Sequence, residues 1–189
     1  MRWRVGLLIS AVLLPVLAIA SESGSDEAAA TWKRHEIDFA YMGFTTRYSC
    51  GGLHDKVKLL LKHIGVRPDI KISERGCEIG FERIADFPRL KIVFFAPEIP
   101  EAGSKELGEP VLGIWKTVTI KRNTPRGIEW GDCELVELFR DRILSRLTTR
   151  AMTGDVNCIP HQLIGNRIDL QFELLSGIQT ADLAPPPGR

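Results

Sequence analysis

The sequence predicts an α+β protein: two β-α-β-β units whose helices cover one face of a mainly antiparallel sheet, each unit closed by a local disulfide. Three observations carry that expectation. Two stretches repeat apolar residues at the spacing of one helical face, several others alternate apolar with polar residues, and four cysteines stand in matched places around the two helices. The order in each half is strand, cysteine at a helix start, helix, second cysteine, closing strand.

Residues 1–20 are set apart from the fold. Met1-Arg2-Trp3-Arg4 is a short basic start, an apolar run follows from Val5 to Ala20, and Ala18-Ile19-Ala20 offers small residues at a cleavage point. Together these describe a secretory signal with Ser21 as the first mature residue, the alternative being a retained anchor. Cleavage leaves 169 residues with a formal charge of −1 in place of +1. The product then lies in the periplasm or outside the cell, where disulfides persist, and carries no membrane span after cleavage. Residues 21–32, small and acidic, read as a flexible lead-in, and 179–189, with Pro185-Pro186-Pro187, as a disordered tail.

The first unit occupies 33–100. Its opening strand is expected from Ile37 to Thr46. Ser49 caps a helix in which Leu53, Val57, Leu60 and Ile64 share a face, and Gly65 followed by Pro68 stops it. Strands follow at Asp69–Ser73 and Leu90–Phe95. Residues 101–110, EAGSKELGEP, form a linker. The second unit, 111–178, starts with a strand from Leu112 to Lys121. Asp132 caps a helix holding Val136, Phe139, Ile143 and Leu147, and Arg167–Leu175 closes the unit with strict alternation.

Counted from Cys50 and Cys133, positions +3, +10, +11 and +14 are apolar in both halves, whereas +7 is Val57 in one and Arg140 in the other. The match reads as an internal repeat. Spacing also selects the cysteine partners. A helix from Cys50 to Ile64 rises about 21 Å, and a strand returning from Asp69 to Cys77 covers about 26 Å, which brings Cys77 back beside Cys50. The same reasoning pairs Cys133 with Cys158. Each bridge contributes about 3–4 kcal/mol through loop entropy. Whether the halves share one sheet or form two is left open.

No catalytic constellation is legible. His54 and His63 read as solvated helix residues, and no metal-binding spacing or cofactor motif is present. His161, in the loop Cys158-Ile159-Pro160-His161-Gln162-Leu163, is the one catalytic candidate. Tyr41, Arg47 and Tyr48, in an aromatic and hydroxyl-rich stretch, are candidate binding residues, the alternative being a buried strand that ends beside a disulfide. The basic residues Lys56, Lys58, Lys62, Arg140, Arg142 and Arg146 lie among acids and apolar residues, so they read as solvated faces rather than a nucleic-acid surface. The expected function is a non-catalytic envelope protein with a binding or structural role, its partner an envelope protein or small ligand. The alternatives are a small periplasmic hydrolase using His161 and a thiol-redox protein using Cys50 or Cys133 at a helix start.

With YMGFTTRYSC (41–50), GDCELVEL (131–138) and CIPHQL (158–163) in view, the chain resembles a group of exported proteobacterial proteins of no known activity. The resemblance runs from about Ile37 to Leu175. It implies a periplasmic or secreted home and transfers no catalytic residue.

Overall fold

A computed structural model describes residues 26–77, 83–101 and 108–178. The signal segment, the first residues of the lead-in, most of the 101–110 linker and the 179–189 tail lie outside the described residues. The elements are β1 (Glu27–Ala40), α1 (Cys50–Ile64), β2 (Lys71–Arg75), β3 (Arg89–Glu98), β4 (Pro110–Lys121), α2 (Cys133–Arg142), β5 (Thr149–Asn157) and β6 (Arg167–Gly177). They form one six-stranded sheet in the order β2-β3-β1-β4-β6-β5, antiparallel throughout. Read outward from its centre, each half runs first, third, then second strand of its unit.

The halves meet along β1 and β4, where Glu27–Thr31 pairs with Pro110–Ile114. The middle pair of that ladder is Ala29 with Leu112, 83 residues apart, the same interval as Cys50 to Cys133. Other counterparts keep it. Trp32 N–H donates to Glu109 O and Trp115 N–H to Asp26 O, both at 2.9 Å. The Arg67 guanidinium lies 5.4 Å from the Trp32 ring and 3.4 Å from Glu109, and that of Arg150 lies 4.2 Å from Trp115 and 4.0 Å from Asp26. Each arginine therefore stacks on its own half and reaches a carboxylate of the other, fastening the sheet's centre.

Both helices lay their apolar stripes on the same sheet face. Leu53, Val57, Leu60 and Ile64 of α1 and Leu135, Val136 and Phe139 of α2 join a single core with Leu90, Ile92 and Phe94 of β3 and Ile168, Leu170 and Phe172 of β6. Ser49 Oγ accepts the Gly52 N–H at 3.1 Å to start α1, and Gly65 ends it in the left-handed region at φ 81°. The disulfides are Cys50–Cys77 and Cys133–Cys158, with Cα atoms 6.1 and 5.6 Å apart.

Three expectations are corrected. The first strand starts at Glu27, inside the expected lead-in, because pairing with β4 holds an alanine-rich segment that has little strand preference of its own. It also ends at Ala40, so 41–48 is loop. Helix α2 stops at Arg142 and continues as a single 3₁₀ turn, Leu144–Arg146. Asp132 sits at the cap position of α2, but its carboxylate turns back to accept the Glu129 N–H at 2.7 Å.

Candidate functional site

The segments 41–50, 131–138 and 158–163, far apart in sequence, converge on one groove of about 440 Å³. Its walls are the end of β1 (Asp38, Ala40), the loop Tyr41–Phe44, the outer face of α2 (Glu134, Glu137, Leu138, Asp141) and Cys158 with Pro160. A smaller hollow of about 280 Å³ shares Asp38 and Ala40 and is framed by Arg75 and Arg89.

Buried hydrogen bonds hold the loop that makes one wall. Tyr41 and Tyr48 turn inward, their rings edge-on at 4.9 Å, and are almost wholly buried. The Tyr41 hydroxyl donates to Thr46 O at 2.9 Å, and that of Tyr48 to Asp132. Burial pushes both phenols well above their ordinary range; the Asp132 hydrogen bond adds to this at Tyr48 and the Glu134 charge at Tyr41. Asp132, 3% exposed, also accepts from Lys56 Nζ at 2.6 Å, and Lys56 donates further to Gly127 O. One buried carboxylate thus ties the loop, α1 and the start of α2 together. Thr45 N–H donates to Glu134 Oε2 at 2.9 Å, and Gly43 packs so closely that a Cβ there would overlap the Tyr41 hydroxyl.

With the tyrosines inside, the loop presents Met42 and Phe44 instead, 66% and 64% exposed. The binding candidates therefore divide. Tyr41 and Tyr48 are framework residues, although Tyr41 also lines the groove, and Arg47 is exposed but paired with Asp86. His161 is exposed with φ 63°, its ring 5.5 Å from Phe44, and makes no hydrogen bond among the described residues. Its loop is held by Asn166, which accepts the Ile159 N–H at 2.7 Å and donates to Gln162 O at 2.8 Å. Among the described residues no acid–base partner is hydrogen-bonded to the imidazole, so the hydrolase reading gains nothing from the geometry. Cys50 and Cys133 are fully buried and disulfide-bonded, which leaves no exposed thiolate at either helix start.

The remaining histidines, unlike His161, are held by partners or burial rather than lying on a solvated face. His54 pairs with Glu74, whose carboxyl is held below its ordinary range by that hydrogen bond, and His63 Nε2–H donates to Thr119 O at 2.8 Å. His35 is buried against Phe94, ring centroids 5.2 Å apart, and burial lowers its proton affinity. Sequence reasoning also missed the pairing of Lys56 with Asp132, because partners 76 positions apart leave no local signal.

The groove is acidic. Asp38, Glu134, Glu137 and Asp141 line it against one cation, Arg142. Arg140, just outside, binds Asp141 at 2.8 Å and Glu137 at 4.0 Å, whereas Asp38 and Glu134 have no ion pair among the described residues. These carboxylates are spread along the walls; among the described residues no three acids, histidines or cysteines gather as a metal site. No described helix is long and apolar enough to cross a membrane. No protein-family model, curated protein or solved structure matches the chain.

Proposed function

We propose that the chain is exported to the periplasm or beyond and works there as a non-catalytic binding protein whose site is the groove between loop 41–48 and α2. The observation that carries this reading is the pairing of solvent-exposed Met42 and Phe44 with a carboxylate-lined wall, on a loop whose two tyrosine hydroxyls are bonded inside. Export is supported by the basic start, the apolar run and Ala18-Ile19-Ala20, together with two disulfides. The 83-residue interval shared by Cys50/Cys133, Trp32/Trp115 and Arg67/Arg150 supports an origin by duplication, with the groove as a departure of one half from the common plan.

The test uses tagged protein from Ser21 onward, incubated with envelope extract of the source bacterium beside a Met42→Asp/Phe44→Asp variant. Both side chains are exposed, so the variant folds. The expected result is a specific protein or small molecule retained by the parent and lost by the variant. Retention of nothing, or equal retention by both, would overturn the reading.

A further inference from the structure

The groove runs beside a strand edge that has not been used. Just past the end of β1 the Tyr41 N–H donates to Pro88 O, which continues the β1–β3 register and places the backbone groups of the strand's odd residues toward β3. Those of Arg34, Glu36, Asp38 and Ala40 therefore point the other way. On that side β4 accompanies β1 only as far as Thr31, and the Trp32 N–H takes Glu109 O. Beyond this, among the described residues, the backbone N–H and C=O groups of 34, 36, 38 and 40 have no hydrogen-bond partner. The stretch is about 20 Å long and ends in the acidic groove.

The equivalent edge in the other half is partly occupied. In β4 the outward groups belong to Trp115, Thr117, Thr119 and Lys121. Trp115 N–H is taken by Asp26 O, Thr119 O by His63, and Lys121 N–H by Thr124 O at 2.9 Å. His63 belongs to the last turn of α1. Its counterpart 83 positions on, Arg146, falls beyond the end of α2, and its side chain makes no hydrogen bond among the described residues. One edge thus has partners at Trp115, Thr119 and Lys121, that of Thr119 coming from the fold's own helix, and the other edge has none among the described residues and lies alongside a groove.

We infer that the open edge of β1 receives an extended, lysine- or arginine-bearing peptide segment as an added strand, in a deepening that rests on the groove being the binding site. Backbone pairing with 34–40 would supply affinity without sequence preference. Specificity would come from the walls: Asp38 and Glu134, free of ion pairs, face a cationic side chain, while Met42, Phe44 and Leu138 meet an apolar neighbour. An exposed edge of this length otherwise invites random pairing, and acidic walls restrict which strands can approach.

The probe is an eight-residue peptide alternating lysine and valine, titrated into ¹⁵N-labelled protein from Ser21 onward. Three comparisons accompany it: the same peptide N-methylated at alternate amides, a glutamate-for-lysine version, and spermine. The lysine peptide is expected to slow hydrogen exchange at the amides of Glu36, Asp38 and Ala40. N-methylation and charge reversal should each weaken binding by about tenfold or more. Ala40→Pro removes one outward N–H while leaving the β3 ladder intact, and should weaken the lysine peptide where Ala40→Ser does not. Equal affinity of the N-methylated peptide, or spermine binding that shifts groove side chains without protecting the edge amides, would overturn strand addition and leave the groove as a site for compact cations. Edge protection that appears with protein concentration alone would assign the edge to a second copy of the chain and also overturn the proposal. Absence of response to all four probes, while the envelope ligand is still retained through Met42 and Phe44, would overturn strand addition alone.

Discussion

Replacing Lys56 with methionine tests whether Asp132 is the post that holds the candidate site. The carboxylate is 3% exposed and accepts three bonds: from the Tyr48 hydroxyl, from Glu129 N–H and from Lys56 Nζ. Methionine keeps the length and packing of the lysine stem but withdraws the one cation bonded to that carboxylate among the described residues. Breaking one side of a buried pair costs about 3–5 kcal/mol. Lys56 is itself 26% exposed, so the lower end, about 3 kcal/mol, is the expected loss. Tyr48→Phe should cost less, about 1.5–3 kcal/mol, because Asp132 keeps its cation and one backbone donor. Asp132→Asn added to Lys56→Met removes the stranded charge and should restore at least about 1 kcal/mol. Urea unfolding followed by tryptophan fluorescence measures all four proteins. A Lys56→Met loss below about 1 kcal/mol, or a double variant no more stable than the single one, would refute the assignment of Asp132 as a charged anchor.

Replacing Cys133 and Cys158 with alanine should cost about 3–4 kcal/mol by loop entropy over their 25-residue separation, plus a smaller packing loss at fully buried Cys133; the same unfolding series, read with a larger m-value, checks it. Gly43→Ala should push the Tyr41 ring or the loop aside at a cost of about 1–3 kcal/mol and shift the Met42 and Phe44 resonances in methyl and aromatic spectra, whereas Met42→Ala leaves stability within about 0.5 kcal/mol. Because burial lowers the His35 pKa in the folded state, the unfolded chain binds that proton more readily. The corresponding stability is complete above the ordinary value of 6.5 and is lost as pH falls through the lowered folded value. A melting-temperature series from pH 7.5 downward should show that loss in the parent and a smaller one in His35→Phe; identical slopes would remove His35 as the cause.

Local chemistry made α1 legible. Leu53, Val57, Leu60 and Ile64 on one face, a serine cap and a glycine stop all lie between Ser49 and Gly65, and all operate as read. The disulfides were legible for a related reason: helix rise and strand length are fixed distances, so the returning chain had one place to go. What escaped depends on partners distant in sequence. The start of β1 is a strand only because β4 lies beside it, and β5 is a mostly exposed edge whose register shifts between Arg150 and Thr153, so it shows no apolar alternation. For Tyr41 and Tyr48 the sequence leaves burial beside a disulfide and a recognition surface both open, because an aromatic ring with a hydroxyl suits either recognition or a buried hydrogen bond. Asp132, 84 positions from Tyr48, decides between them.

The departure between the halves is where the candidate site lies. Position +7 holds fully buried Val57 in α1 and half-buried Arg140 in α2, and Arg140 spends its charge on Asp141 and Glu137 of its own helix. Two turns later α1 is still helical and delivers His63 to the backbone of β4, whereas α2 has ended at Arg142 and delivers nothing comparable to β1. The edge of β4 is therefore met by a helix side chain, and that of β1, among the described residues, is not. A chain under pressure only to be stable would close both, since an unpaired edge risks aggregation and contributes no ladder energy. The acids that line the open side are the feature that makes such an edge tolerable, and they also make it selective for cationic strands.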